Sequence, residues 1–224
     1  MAQTMARATL ETIGFLAMLA IALFAPAQSI AWPAAWAVLL FFLLFSVAGL
    51  LLLDPGLIEE RSSLPPEIKL GDILLAGTAF IFIYPATMIV SGFDFRFGWS
   101  LVIPVLIREV AFLVLVLGYG FSLWAARTNR FFSTVVRIQG ERGHHVIDTG
   151  PYAFIRHPGY AGPLVAHACL PIVLGTVAAL VPTIIGAAFL LLRAVREEQM
   201  LVTDLPGYRD YTARVRWRIL PGLW

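Results

Sequence analysis

From His144 to Tyr160 the sequence reads His-His-Val-Ile-Asp-Thr-Gly-Pro-Tyr-Ala-Phe-Ile-Arg-His-Pro-Gly-Tyr, which holds three of the four histidines of the chain. Asp148, Arg156, Tyr152 and Tyr160 add further groups that carry protons or make hydrogen bonds. Pro151 and Pro158 hold the residues before them to extended or turn backbone, so the stretch predicts a shaped loop and not a helix. Directly after it comes a long apolar run. A loop of this composition at a membrane boundary suits the holding of a polar cofactor against an apolar substrate. The same residues equally suit a basic turn that seats the next helix on anionic headgroups.

A second constellation follows the apolar run: Arg193, Arg196, Glu197, Glu198, Tyr208 and Tyr211. Arg193 and Glu197 are four residues apart and share one helix face. Such a pair suits a cofactor that carries both an ammonium and a carboxylate. Its plainer alternative is a surface ion pair worth about 0–1 kcal/mol.

The elements that must position these groups are set by composition. Hydrophobic residues make up 59% of the chain and charged residues 13%, and mean hydropathy is +0.83. Soluble domains carry about 25% charge, so the chain is read as an all-α, polytopic membrane protein. Four spans are expected near 10–27, 33–53, 73–91 and 101–124, with the last helix running on to Arg127. Trp32 and Trp36 take aromatic-belt positions, Gly92 ends span three, and the first three spans lack buried polar residues. Arg108 and Glu109 are expected as a structural boundary pair.

The run from Tyr160 to Leu192 has no formal charge and would be about 50 Å long as one helix, against about 30 Å of hydrocarbon. Pro171, Gly175 and Pro182 break it, which predicts a helical hairpin that turns between Gly175 and Val181. The total is five to six membrane helices. Residues 1–126 carry spans one to four, and 127–224 carry the loop, hairpin and tail as part of one integrated domain. A hairpin returns its ends to one place, so the loop must meet the segment that opens at Arg193.

With the amino terminus inside, fourteen of the sixteen Arg and Lys fall on the inner side and only Arg96 and Arg108 on the outer. This asymmetry predicts cytoplasmic termini and a cytoplasmic loop, and it speaks to topology instead of nucleic-acid binding. The polar segment 54–72 reads as a loop with an interfacial turn. The tail Arg214-Val-Arg-Trp-Arg-Ile219 alternates as a strip lying on anionic lipid, and Trp224 closes the chain as an interfacial anchor. Cys169 lies in an apolar run and reads as a small buried hydrophobe. His167 reads as a hydrogen-bonded core residue, and Gly118 and Gly120 as close helix packing. The histidine spacing offers no metal-site pattern, and no metal is assigned.

Gly150-Pro-Tyr-Ala-Phe-Ile-Arg-His-Pro-Gly-Tyr-Ala-Gly162, a hairpin, and Arg193-Ala-Val-Arg-Glu-Glu198 with tyrosines beyond together resemble the isoprenylcysteine carboxyl methyltransferase family. The related membrane phospholipid methyltransferases are similar. The resemblance covers about Val135 to Trp224. It implies S-adenosyl-L-methionine held by His144, His145, Val146, Ile147, Tyr152, His157, Pro158, Gly159, Tyr160 and Glu197. It also implies Arg193 facing a hydrophobic or lipid-like methyl acceptor. An amine acceptor would need deprotonation, for which a histidine or Glu198 is the candidate base. Arg137 stands where the family has glutamine, and Leu205-Pro-Gly-Tyr208 departs from the family's spacing.

The activity implied is methylation of a membrane-resident acceptor, foremost a carboxylate. The alternatives are phospholipid or other amine N-methylation, an NADPH-dependent sterol-type membrane reductase, and a non-catalytic scaffold or transporter. No protein or nucleic-acid partner is implied. Arginine outnumbering lysine, with abundant alanine, points to the cytoplasmic membrane of a GC-rich prokaryote.

Overall fold

Apolar runs of about 20 residues must satisfy their own backbone groups in lipid, and the helix does so within a single segment. In a computed structural model that describes residues 2–62 and 70–222, the chain is all-α. The helices are α1 (Ala2–Ala27), α2 (Pro33–Leu52), α3 (Pro55–Ser62), α4 (Leu70–Ile81), α5 (Thr87–Phe97), α6 (Val105–Thr128), α7 (Pro158–Leu174), α8 (Leu180–Asp204) and α9 (Tyr208–Arg214). A π turn, Phe82–Ala86, joins α4 to α5, so that Leu70–Phe97 forms one span. Among the described residues five helices are long and apolar enough to cross a membrane, and α7 is a shorter apolar helix. The chain is therefore an integral, multi-pass membrane protein.

The hairpin forms where the sequence breaks it. Gly175, at φ +80°, ends α7, and Thr176 N–H reaches back to Pro171 O (2.9 Å). Only glycine takes that conformation without strain. Arg108 donates to Val173 O (3.1 Å) and lies against Gly175, so its charge caps the carbonyl end of α7. The role is structural, but the partner is the end of α7 and not the neighbouring Glu109.

Helix contact is closest between α6 and α7. A Cβ on Gly162 would lie 2.2 Å from Gly118 O, so the two backbones touch; Gly120 has no such neighbour. Gly162→Val is therefore expected to abolish correct assembly, since overpacking costs about 1–3 kcal/mol even where neighbours can yield. Loss of the monodisperse peak in detergent size exclusion would show it, and a parent-like profile would contradict the packing.

Several expectations are corrected. Gly92 does not end span three: it lies inside α5, where a Cβ would meet Leu23 O at 2.5 Å, and the helix runs on to Phe97. Helix α6 starts at Val105 and not at Leu101, because Pro104 caps it. Trp32 is buried and stacks on Phe95 at 4.3 Å, whereas Trp36 is exposed.

Span three does carry buried polar groups. Thr87 Oγ1 bonds Thr183 Oγ1 (3.0 Å), and Ser91 Oγ bonds Thr176 Oγ1 (2.9 Å). Buried Asp94 accepts Ser100 N–H (2.8 Å) and its hydroxyl. Single hydroxyls of this kind tie α5 to the hairpin, and averaged hydropathy cannot reveal them.

Part of the polar segment is helical, as α3; Pro65, Pro66, Glu67 and Lys69 lie outside the described residues, as does Trp224. The tail does not lie free on a surface. Arg156 and His157 donate their N–H groups to Trp217 O (2.9 Å) and Arg218 O (2.8 Å), and Val215 and Ile219 are buried. The tail therefore forms the floor of the loop.

Candidate active site

Because the hairpin brings its ends together, the loop and the end of α8 border a single cavity of about 760 Å³. Ten of the twelve residues singled out from the sequence line it: His144, His145, Val146, Ile147, Tyr152, His157, Gly159, Tyr160, Arg193 and Glu197. Pro158 and Glu198 do not. Pro158 opens α7, where its missing N–H costs nothing.

Glu198 faces the loop's scaffold instead. It is 4% exposed and receives Arg156 Nη2 (2.8 Å), His157 Nε2 (2.5 Å), Tyr208 OH (3.4 Å) and Arg218 Nε (3.5 Å). These come from the loop, α9 and the tail, so one carboxylate ties the loop before the hairpin to the elements after it. A carboxylate engaged in this way is poorly placed to take a substrate proton. Arg156 also donates through Nη1 to Val215 O (2.7 Å) and Arg216 O (2.8 Å).

Glu197, one residue earlier, turns into the cavity. Tyr160 OH donates to its Oε2 (2.5 Å), and Arg193 Nη1 donates to the same hydroxyl (3.2 Å). Arg193 is otherwise closed upon α4 and the connector that follows α6. Its Nε and Nη2 grip Asp72 (2.7 and 3.2 Å), and Nη2 also reaches Thr134 O (2.7 Å). Four of its five N–H groups are thereby used. The bidentate hold on an acceptor carboxylate expected of Arg193 is thus occupied by Asp72, and its geometric role is to set Tyr160 and hence Glu197.

His144 is fixed by its neighbours. Gln139 N–H donates to its Nδ1 (3.2 Å), which leaves the ring proton on Nε2 in the neutral form, and Phe131 stacks on the ring at 4.4 Å. Burial, then repulsion from His145, Arg137 and Arg142, lowers its pKa from 6.5 to about 4. The unfolded chain takes up the proton first as pH falls, so this contribution to stability is complete above about 6.5 and lost on the way down to about 4. His144→Gln should therefore flatten the fall of the melting midpoint between those values. Equal slopes for parent and variant would contradict this.

Arg137 does not extend freely into the site, since Glu60 (2.9 Å) and Glu141 (2.7 Å) hold it. Buried Gln139 lies two residues on and donates to Phe131 O (2.8 Å). Tyr152 receives Asn129 Nδ2 (3.3 Å), and Tyr211 OH donates to its carbonyl (2.7 Å). At Gly159 a Cβ would lie 2.3 Å from the Phe132 ring, so glycine there admits an aromatic wall.

The cavity continues between the membrane helices, past Phe15, Phe45, Gly49 and Leu50. There Tyr84, Tyr119 and His167 form a hydrogen-bonded triangle with sides of 3.0, 2.8 and 3.1 Å. His167 is hydrogen-bonded as expected, yet it also lines the cavity. Tyr84 lies in the π turn, which absorbs Pro85 and leaves Phe82 O to accept Thr87 Oγ1 (2.8 Å). Sequence reading missed Tyr84, Tyr119, Asp72 and Phe132, for tyrosine and phenylalanine within apolar runs give no signal of a cavity.

Residues 110–203 match the family model described as Isoprenylcysteine carboxyl methyltransferase (ICMT) family. No curated protein sequence matches the chain at a significant level. The match runs from within α6 to the end of α8 and takes in the loop, the hairpin, Arg193, Glu197 and Glu198. The match agrees with the resemblance drawn from the loop and post-hairpin motifs: residues 110–203, under half of the chain, are similar to the isoprenylcysteine carboxyl methyltransferase family and lie within a multi-pass helical membrane protein.

Proposed function

We propose that the protein is an S-adenosylmethionine-dependent methyltransferase acting on a hydrophobic, membrane-resident acceptor, foremost a carboxylate. One observation carries this reading: a single cavity is lined at one end by polar loop and α8 residues and at the other by apolar span residues. A water-soluble donor and a lipid-like acceptor can meet in such a space without leaving their own phases.

The residues fit the donor. Glu197 supplies the negative charge that a sulfonium and an ammonium require, and Tyr160 orients it. His144 offers Nε2–H, and Val146, Ile147 and Tyr152 offer the flat apolar walls that suit a purine. When bound, the donor supplies an activated methyl group on positive sulfur. An ionised carboxylate oxygen bonds the methyl carbon as the carbon–sulfur bond breaks and its electron pair returns to sulfur. No proton moves, so no base is needed, and the protein's task is alignment and exclusion of water.

In this reading 127–224 builds the donor pocket and 1–126 the acceptor chamber. His157 positions the loop through Glu198, and Arg193 positions Tyr160. The concentration of arginine around the loop and tail favours a cytoplasmic pocket in a prokaryotic membrane.

The test is incubation of detergent-purified protein with methyl-tritiated S-adenosylmethionine and a total membrane lipid extract. Label in the organic phase that is released by mild base marks a methyl ester. Base-stable label marks N-methylation and would overturn the carboxylate assignment. Absence of both transfer and donor binding would overturn the methyltransferase reading itself.

A further inference from the structure

Two guanidinium groups line the cavity without belonging to the Glu198 cluster or the Glu60 clasp: Arg193 and Arg61. Arg193 is closed on Asp72. Among the described residues no acid closes on Arg61. It projects from α3, and among the described residues it shows a contact with the face of Phe132, 5.2 Å from the ring centroid, and no carboxylate pairs with it. Its neighbour Glu60 is engaged by Arg137 instead. Phe132 in turn lies on Gly159, one residue before Tyr160, so the ring places Arg61 beside the junction of loop and α7.

A guanidinium cannot shed its charge at physiological pH, and one partly withdrawn from water, as half-buried Arg61 is, gains from a nearby anion. Burial, then repulsion by Arg193, disfavours the charged form of Arg61. An anion entering the cavity relieves both penalties. The cavity that Arg61 lines is also lined by Leu50, Leu53 and Ile58, so that anion should be the end group of an apolar molecule.

We propose that Arg61, outside the family-matched segment, is the specificity-determining residue that holds the anionic group of the acceptor, in place of the occupied Arg193. The proposal rests on the methyltransferase reading, yet the two fail separately. The probe is radiolabelled oleate captured on bead-bound protein in neutral detergent, competed with unlabelled oleate, methyl oleate or oleylamine. Binding of S-adenosylmethionine is measured in parallel by calorimetry.

Oleate should compete, and the ester and the amine should not. Arg61→Gln should weaken oleate about 10- to 100-fold, the loss expected for a charged hydrogen bond, while Arg61→Lys retains part of the affinity. Donor binding should stay within about twofold of the parent in both variants. Parent-like oleate binding by Arg61→Gln, equal competition by methyl oleate, or no oleate binding by the parent would each overturn the proposal. So would loss of donor binding in both variants, which would place Arg61 on the cofactor's own carboxylate. Failure of the parent to bind the donor would instead overturn the methyltransferase reading.

Discussion

Glu197→Ala is expected to lower S-adenosylmethionine affinity about 10- to 100-fold while leaving the fold intact. The carboxylate turns into the cavity with Tyr160 OH on one oxygen at 2.5 Å. It therefore provides an oriented negative charge where a cationic donor would lie. Loss of one charge-assisted hydrogen bond accounts for about 1.5–3 kcal/mol. Glu197→Gln keeps the shape and the bond from Tyr160 but not the charge, and should fall between parent and alanine. Calorimetric titration checks both, with the melting midpoint as the control. Unchanged affinity in Glu197→Ala would remove the residue from the donor site.

Glu198→Ala should behave differently, although it alters the adjacent residue. Its loss leaves Arg156 (9% exposed) and His157 (4% exposed) without their acid and unties Arg218 and Tyr208 from α8. Removal of one partner from a buried charge cluster costs about 3–5 kcal/mol. The expected result is a much lower melting midpoint in detergent, with donor binding lost as a consequence of the loosened loop. Glu198→Gln should recover part of the stability, because an amide still accepts hydrogen bonds. A variant of parental stability that binds donor but does not transfer methyl would instead mark Glu198 as a reacting base.

The contrast between the two glutamates shows what could be read in advance. Proline, glycine and the length of the charge-free run were enough to place the hairpin and its turn at Gly175, and thus to bring the loop to α8. Those are local features, written in consecutive residues. Which glutamate faces the cavity is not local, since residues 197 and 198 differ by about 100° of helix rotation and the loop decides which side is inside.

The pairing of Arg193 with Asp72 joins residues 121 positions apart, and Arg137 with Glu60 joins residues 77 apart. No periodicity connects them. The triangle of Tyr84, Tyr119 and His167 is drawn from three separate apolar helices, each apolar enough to hide its polar member. The tail was legible as an alternating strip, but its support under Arg156 and His157 depends on backbone atoms that carry no sequence signal.

The most direct measurement is calorimetric titration of the detergent-purified protein with S-adenosylmethionine and, separately, with NADPH. Saturable binding of S-adenosylmethionine that is weakened by Glu197→Ala, with no heat from NADPH, is the predicted result. Binding of NADPH with no uptake of S-adenosylmethionine would contradict a donor pocket formed by the loop and α8.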